Sequence, residues 1–135
     1  MTATFKAIRN TELPHAFRQV RLELAREPGH PEGDRGIAYV MLAPLDADGR
    51  IDTPLWQKHR EACRVVRLRP GIEDERGHLV HRPGGSWAFT YDVAGASPDE
   101  SGYHFSNERF IPGEYVSIKE ADGLHAFRVS AVTAL

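Results

Sequence analysis

Apolar and polar positions alternate along the second half of the chain. Trp87, Phe89 and Tyr91 oppose Ser86, Ala88 and Thr90; Val116 and Ile118 oppose Tyr115, Ser117 and Lys119; Phe127 and Val129 oppose Arg128 and Ser130. A period of two places one set on the dry face of a strand and the other on the wet face. Gly and Pro interrupt the alternation at Pro70-Gly71, Pro83-Gly84-Gly85, Gly95, Gly102, Pro112-Gly113 and Asp122-Gly123, which predicts short strands joined by turns. Two joints read as hairpins: Val80 to Arg82 with Trp87 to Tyr91 through Pro83-Gly84-Gly85, and Tyr115 to Lys119 with Leu124 to Val132 through Asp122-Gly123.

The first half is patterned differently. Ile37, Ala38, Tyr39, Val40, Met41 and Leu42 form a continuous apolar run, the pattern of a central strand buried on both faces. Upstream, Val20, Leu22 and Leu24 alternate, while Leu13, Phe17, Val20 and Leu24 also trace a helical stripe. The loop from Glu27 to Gly36 favours a strand over Arg18 to Arg26 that folds back antiparallel onto Ile37 to Leu42. One helix is expected, with Thr53 as N-cap, Pro54 at its first position, and Leu55, Trp56, His59, Ala62, Cys63 and Val66 on a face that covers the apolar strand. It gives way to a strand over Val65 to Arg69, in which Val66 and Leu68 oppose Arg67 and Arg69. These elements predict a mainly β (α+β) protein of seven to nine strands, a small antiparallel β-barrel or strongly curved sheet with one packed helix. Asp92 to Gly102, without a large apolar residue apart from Val93, is expected to be a mobile loop.

Composition narrows the setting. Residues 1–135 read as a single globular domain, and 41% hydrophobic with 27% charged residues is too apolar for intrinsic disorder. Cys63 has no internal partner, residues 1–10 lack the apolar core of a secretory signal, and no run approaches the roughly 18 apolar residues of a spanning helix. A cytoplasmic protein with no membrane partner is expected. The net charge of -2 offers no electrostatic basis for nucleic-acid binding. Charge is nonetheless uneven: residues 54–82 carry seven Lys/Arg against four Asp/Glu, and residues 90–123 carry two against seven, the complementary faces of one domain or of two copies.

No motif is diagnostic of a catalyst, but five groups could carry chemistry. Cys63 and His59 lie one helical turn apart, so that His59 could activate the thiol; a lone Cys on an apolar stripe is more often a small core residue. His30, Glu32 and Asp34 alternate in a loop and could hold a metal ion, or simply be solvated there. Arg82, Gly84, Gly85 and Ser86 combine a cation, bare amides and a hydroxyl that could cradle an anion, though a hairpin turn explains the same glycines. Arg67 and Arg69, with Arg60, Arg64, Arg76 and Arg82, could form a basic surface for RNA or a phosphate-bearing ligand. Around Phe105, the residues Tyr103, His104, Asn107, Glu108 and Arg109 could line a polar cleft with Asp99 and Glu100. The function expected is a binding or interaction module for a protein or small anionic ligand, with no cofactor. The enzyme alternative rests on Cys63 with His59 or on a His/carboxylate cluster.

Overall fold

Strands that alternate dry and wet faces leave their edge amides unpaired unless the sheet closes, and here it closes. In the computed structural model, which describes residues 13–92, 100–103, 105 and 108–135, eight antiparallel strands form a closed barrel. They are β1 (Phe17–Leu24), β2 (Asp34–Pro44), β3 (Arg64–Arg69), β4 (Ile72–His81), β5 (Trp87–Tyr91), β6 (Glu100–Tyr103), β7 (Tyr115–Glu120) and β8 (Gly123–Ala134). Each pairs with the next in sequence, and β8 returns to β1 with Val20 opposite Val132. Both expected hairpins form, β4 with β5 and β7 with β8, and Val116, Ile118, Phe127 and Val129 turn inward as their alternation requires. The first segment is a strand, paired antiparallel with β2.

A short helix closes one end. Thr53–Lys58, α1, starts one residue earlier than the sequence suggests, because Asp52 rather than Thr53 caps it, its Oδ1 accepting the Leu55 N–H at 3.1 Å. The helix stops at Lys58 and a 3-10 turn over Arg60–Ala62 leads into β3, so Cys63 and Val66 do not lie on it. Trp56 is its anchor: the indole N–H donates to the Leu79 carbonyl at 2.9 Å, and the ring meets Trp87 edge-on at 5.2 Å. Phe17, Leu45, Ile51, Phe105 and Phe110 complete this apolar end.

Three expectations are corrected. The helix plugs the barrel's end rather than covering an outer face of β2, so the apolar run is not buried on both sides: Tyr39 and Met41 are buried, whereas Val40 and Leu42 are half-exposed. In β3 it is Val65 and Arg67 that are buried, while Val66 and Leu68 are only half-buried on the outer face. The last part of the expected loop, Glu100 to Gly102, belongs to strand β6; residues 93–99 lie outside the described residues. Glycine is sterically required at position 77, where a Cβ would lie 2.1 Å from the Thr90 carbonyl oxygen of the neighbouring strand. Among the described residues, no helix is long and apolar enough to cross a membrane.

Candidate functional site at the open end of the barrel

Followed away from the helix, the inward positions change character. Along β3 they run Val65, Arg67, Arg69; along β4 backwards Leu79, Gly77, Glu75; β7 continues from Ile118 to Glu120, and β8 backwards from Phe127 to His125. Register sets the polar positions side by side, with Tyr39 opposite Arg67, Arg67 opposite Glu75, and Ile118 opposite His125. The end opposite the plug is thus a charged mouth above an aromatic floor of Tyr39, Phe89 and Phe127. The β1–β2 loop folds over it and contributes Glu27 and His30.

Arg67 is the innermost charge. Its side chain, 10% exposed, lies over the Tyr39 ring and between two carboxylates, 3.4 Å from Glu120 and 3.8 Å from Glu75. Glu120 also accepts the Tyr39 hydroxyl at 2.5 Å, and Glu75 accepts from Arg69 at 2.5 Å. Nearer the rim, His125 sits among acids. Its Nδ1 is 2.9 Å from Glu27 Oε1, and its Nε2 is 2.7 Å from Asp122 Oδ1 and 3.7 Å from Glu120 Oε1. Burial alone would push the His125 pKa down, but the hydrogen bonds to Glu27 and Asp122, with the charge of Glu120, hold it up at about 9. The hydrogen bond to His125 in turn lowers the Asp122 carboxyl below its ordinary range.

Glu27, Arg67, Arg69, Glu120, Asp122 and His125 line a cleft of about 380 Å³, walled by Leu24, Pro28, Ile37 and Ala121. His30 lines the same cleft, and its Nδ1 is buried without a hydrogen-bond partner among the described residues. Comparison with protein-family models, with curated proteins and with solved structures finds no match. The reading of the site therefore rests on its geometry.

The residues singled out in the sequence are distributed as follows. Cys63 is fully buried; its Sγ lies 3.5 Å from the His59 carbonyl oxygen, which cannot take a proton, and burial pushes its pKa up to about 12. The His59 ring packs edge-on against Phe17 instead, so the pair is core packing. His30 reaches the mouth, whereas Glu32 and Asp34 line a groove on the outer wall with Arg26, Arg35 and Arg128; the three do not converge on one cation position. The Arg82 to Ser86 segment is a hairpin turn at the plugged end. Its Gly85 amide donates to the Arg82 carbonyl and its Arg82 amide to Ser86, which turns these amides away from any anion. It stands roughly 20 Å along β4 from the mouth, given about 3.3 Å per strand residue. Arg67 and Arg69 face into the barrel while Arg64 and Arg76 are exposed outside, so the basic residues form no continuous surface. Of the group around Phe105, Glu108 is described: its Oε2 is buried without a partner among the described residues. Asp99, His104 and Asn107 lie outside the described residues, as do the side chains of Glu100 and Tyr103.

Sequence reasoning passed over Glu27, Glu75, Glu120 and His125, and took Asp122 for a turn residue only. One local signal was present. Glu120, Asp122 and His125 straddle a two-residue hairpin turn, which brings both acids and the imidazole to one strand end.

Proposed function

We propose that this protein is a small-ligand-binding barrel whose open end takes a compact polar ligand bearing positive charge. The observation that carries this reading is the charge balance of the mouth. Glu27, Glu75, Glu120 and Asp122 converge from separate parts of the chain on Arg67, Arg69 and His125, leaving carboxylates in excess. Both arginines already meet carboxylates, so an anion would have to displace Glu75 or Glu120, whereas a cation adds to what is there. The cleft's volume lies within the range of small-molecule sites, and its apolar wall of Leu24, Pro28 and Ile37 suits a short hydrocarbon portion. The role is binding rather than catalysis, exercised by one domain in a reducing compartment such as the cytoplasm, which suits the unpaired Cys63.

The test is a backbone NMR titration, in the presence of EDTA, with small amines and their uncharged isosteres. Amines are expected to shift the amides of Leu24, Ile37, Ala121 and His125, and Asp122→Asn should weaken them at least fivefold. Equal response to the uncharged isosteres, or shifts confined to the plugged end, would overturn the reading.

A further inference from the structure

We infer that the rim of the mouth is a binding site for a divalent transition-metal ion of the zinc class, ligated by Glu120, Asp122 and His125. This deepens the reading of the mouth as a cation site and rests on it. One ligand atom from each of the three residues lies within 4.8 Å of the others, a separation that a single ion can bridge. Bonds of about 2.0 to 2.2 Å in tetrahedral array place neighbouring donors roughly 3.3 to 3.5 Å apart. Glu120 Oε1 and His125 Nε2 are already 3.7 Å apart. Asp122 Oδ1, at 2.7 Å from the same nitrogen, must retreat by about 0.6 to 0.8 Å, and its side chain, on the turn and 74% exposed, is free to do so.

Two further features point to a metal rather than to surface acids alone. The far side of the His125 ring is held by Glu27, with Nδ1 2.9 and 3.2 Å from the two carboxylate oxygens. A carboxylate that grips Nδ1 fixes the ring so that Nε2 faces the other two donors, the arrangement that supports a metal-binding histidine from behind. In the wall of the same cleft, the His30 Nδ1 is buried and without a hydrogen-bond partner among the described residues, an uncommitted nitrogen lining the space that Glu120, Asp122 and His125 share. One imidazole with two carboxylates is a borderline donor set, better matched to zinc, cobalt or nickel than to magnesium or calcium, which prefer all-oxygen cages. Three protein ligands leave at least one position open at the cleft. Charge favours the same ion: with the His125 imidazole neutral, as ligation requires, the mouth's four carboxylates exceed its two guanidiniums by two, the charge that a divalent cation brings.

Isothermal titration of the full chain with Zn²⁺, after dialysis against EDTA and then metal-free buffer, tests this, with Co²⁺ absorption reporting coordination. One ion per chain is expected, with ligand-field bands of a four- or five-coordinate site. Asp122→Asn and His125→Gln should each weaken it at least tenfold. Glu27→Gln, which leaves the ligands in place, should weaken it about tenfold or more. His78→Gln, which alters the separate pair with Asp92, should leave it unchanged. Absence of saturable zinc binding, or binding retained in both ligand variants of confirmed fold, would overturn the proposal. If amines shift the mouth resonances in EDTA while zinc fails to bind, the metal proposal falls and the mouth reading stands. If zinc binds as expected and amines do not, the organic-ligand reading falls and the metal site stands.

Discussion

Replacing Arg67 by Met tests whether the mouth is held by charge or merely lined with it. Met keeps most of the aliphatic length over the Tyr39 ring and removes the cation between Glu120 and Glu75. At the 3.4 Å separation of Arg67 from Glu120, the Coulomb attraction is about 5 kcal/mol at an effective dielectric of about 20. Desolvation offsets much of it, since Arg67 and Glu120 are only 10% and 11% exposed. Stripping one member of such a buried pair costs about 3 to 5 kcal/mol, because the other charge stays buried. The low end applies here: Glu120 keeps the Tyr39 hydroxyl and Glu75 keeps Arg69.

We therefore expect Arg67→Met to lose about 3 kcal/mol, and Arg67→Met with Glu120→Gln to lose at least about 1 kcal/mol less than the sum of the single changes. Urea unfolding at pH 7, followed by the fluorescence of Trp56 and Trp87, measures both. Added salt should change the loss little, since the pair is shielded from solvent ions. A loss under about 0.5 kcal/mol, or strict additivity in the double variant, would refute the account, for it would mean that the three charges do not act together.

Stability should fall as pH rises from mild acid. Glu108 loses water on burial, only partly offset by its hydrogen bond to the Ser117 backbone, so its pKa rises from 4.5 to about 7; folding then keeps a proton that the unfolded chain releases, and stability is lost across that interval. His125, with its pKa raised from 6.5 to about 9, contributes stability that is complete below 6.5 and is lost as pH passes through about 9. In EDTA, the urea midpoint should decline from pH 4.5 to 9.5. Glu108→Gln should abolish the lower limb, worth about 1 kcal/mol after allowance for solvent screening, while a flat profile would contradict both assignments. Cys63 should react with a thiol-specific disulfide reagent only as fast as the protein opens globally; rapid labelling of the native state at pH 7 would contradict its burial.

The strands were legible where one face faces the barrel's aromatic core and the other faces water. Val116, Ile118, Phe127 and Val129 satisfy that condition, and their inward orientation follows from alternation alone. The rule misled at Arg67. Preferring apolar side chains inside sends Val66 and Leu68 inward, yet Val65 and Arg67 hold the interior, because the barrel's inner wall turns from apolar to charged as it nears the mouth. The apolar Val65, two residues before Arg67, was the overlooked sign of which face is inner. For Ile37 to Leu42 the pattern fails in the opposite way: an unbroken apolar run predicts two-sided burial, yet Val40 and Leu42 tolerate partial exposure. The site itself is assembled over distances that no local pattern spans, with Glu27 and His125 separated by 98 positions. Of its parts, only the hairpin-bound Glu120, Asp122 and His125 lay close enough in sequence to be read together.

Closure of the sheet gives the charged cluster its rigidity. Arg67, Glu120 and His125 each stand beside an inward apolar neighbour in their own strand, Val65, Ile118 and Phe127, and Glu75 stands opposite Arg67 on a fourth strand, so their separations are set by backbone pairing rather than by loop conformation. The plug matters for the same reason. With Trp56, Trp87, Phe105 and Phe110 filling the other end, the core carries the fold's hydrophobic stabilisation without help from the mouth. The mouth can then hold a costly excess of like charge, since burying carboxylates without full compensation weakens a fold and persists only where the rest of the structure carries it. It follows that adding positive charge at the mouth should raise thermal stability, whether a bound amine or a metal ion supplies it, and that at equal ligand concentration the gain should be smaller in Asp122→Asn.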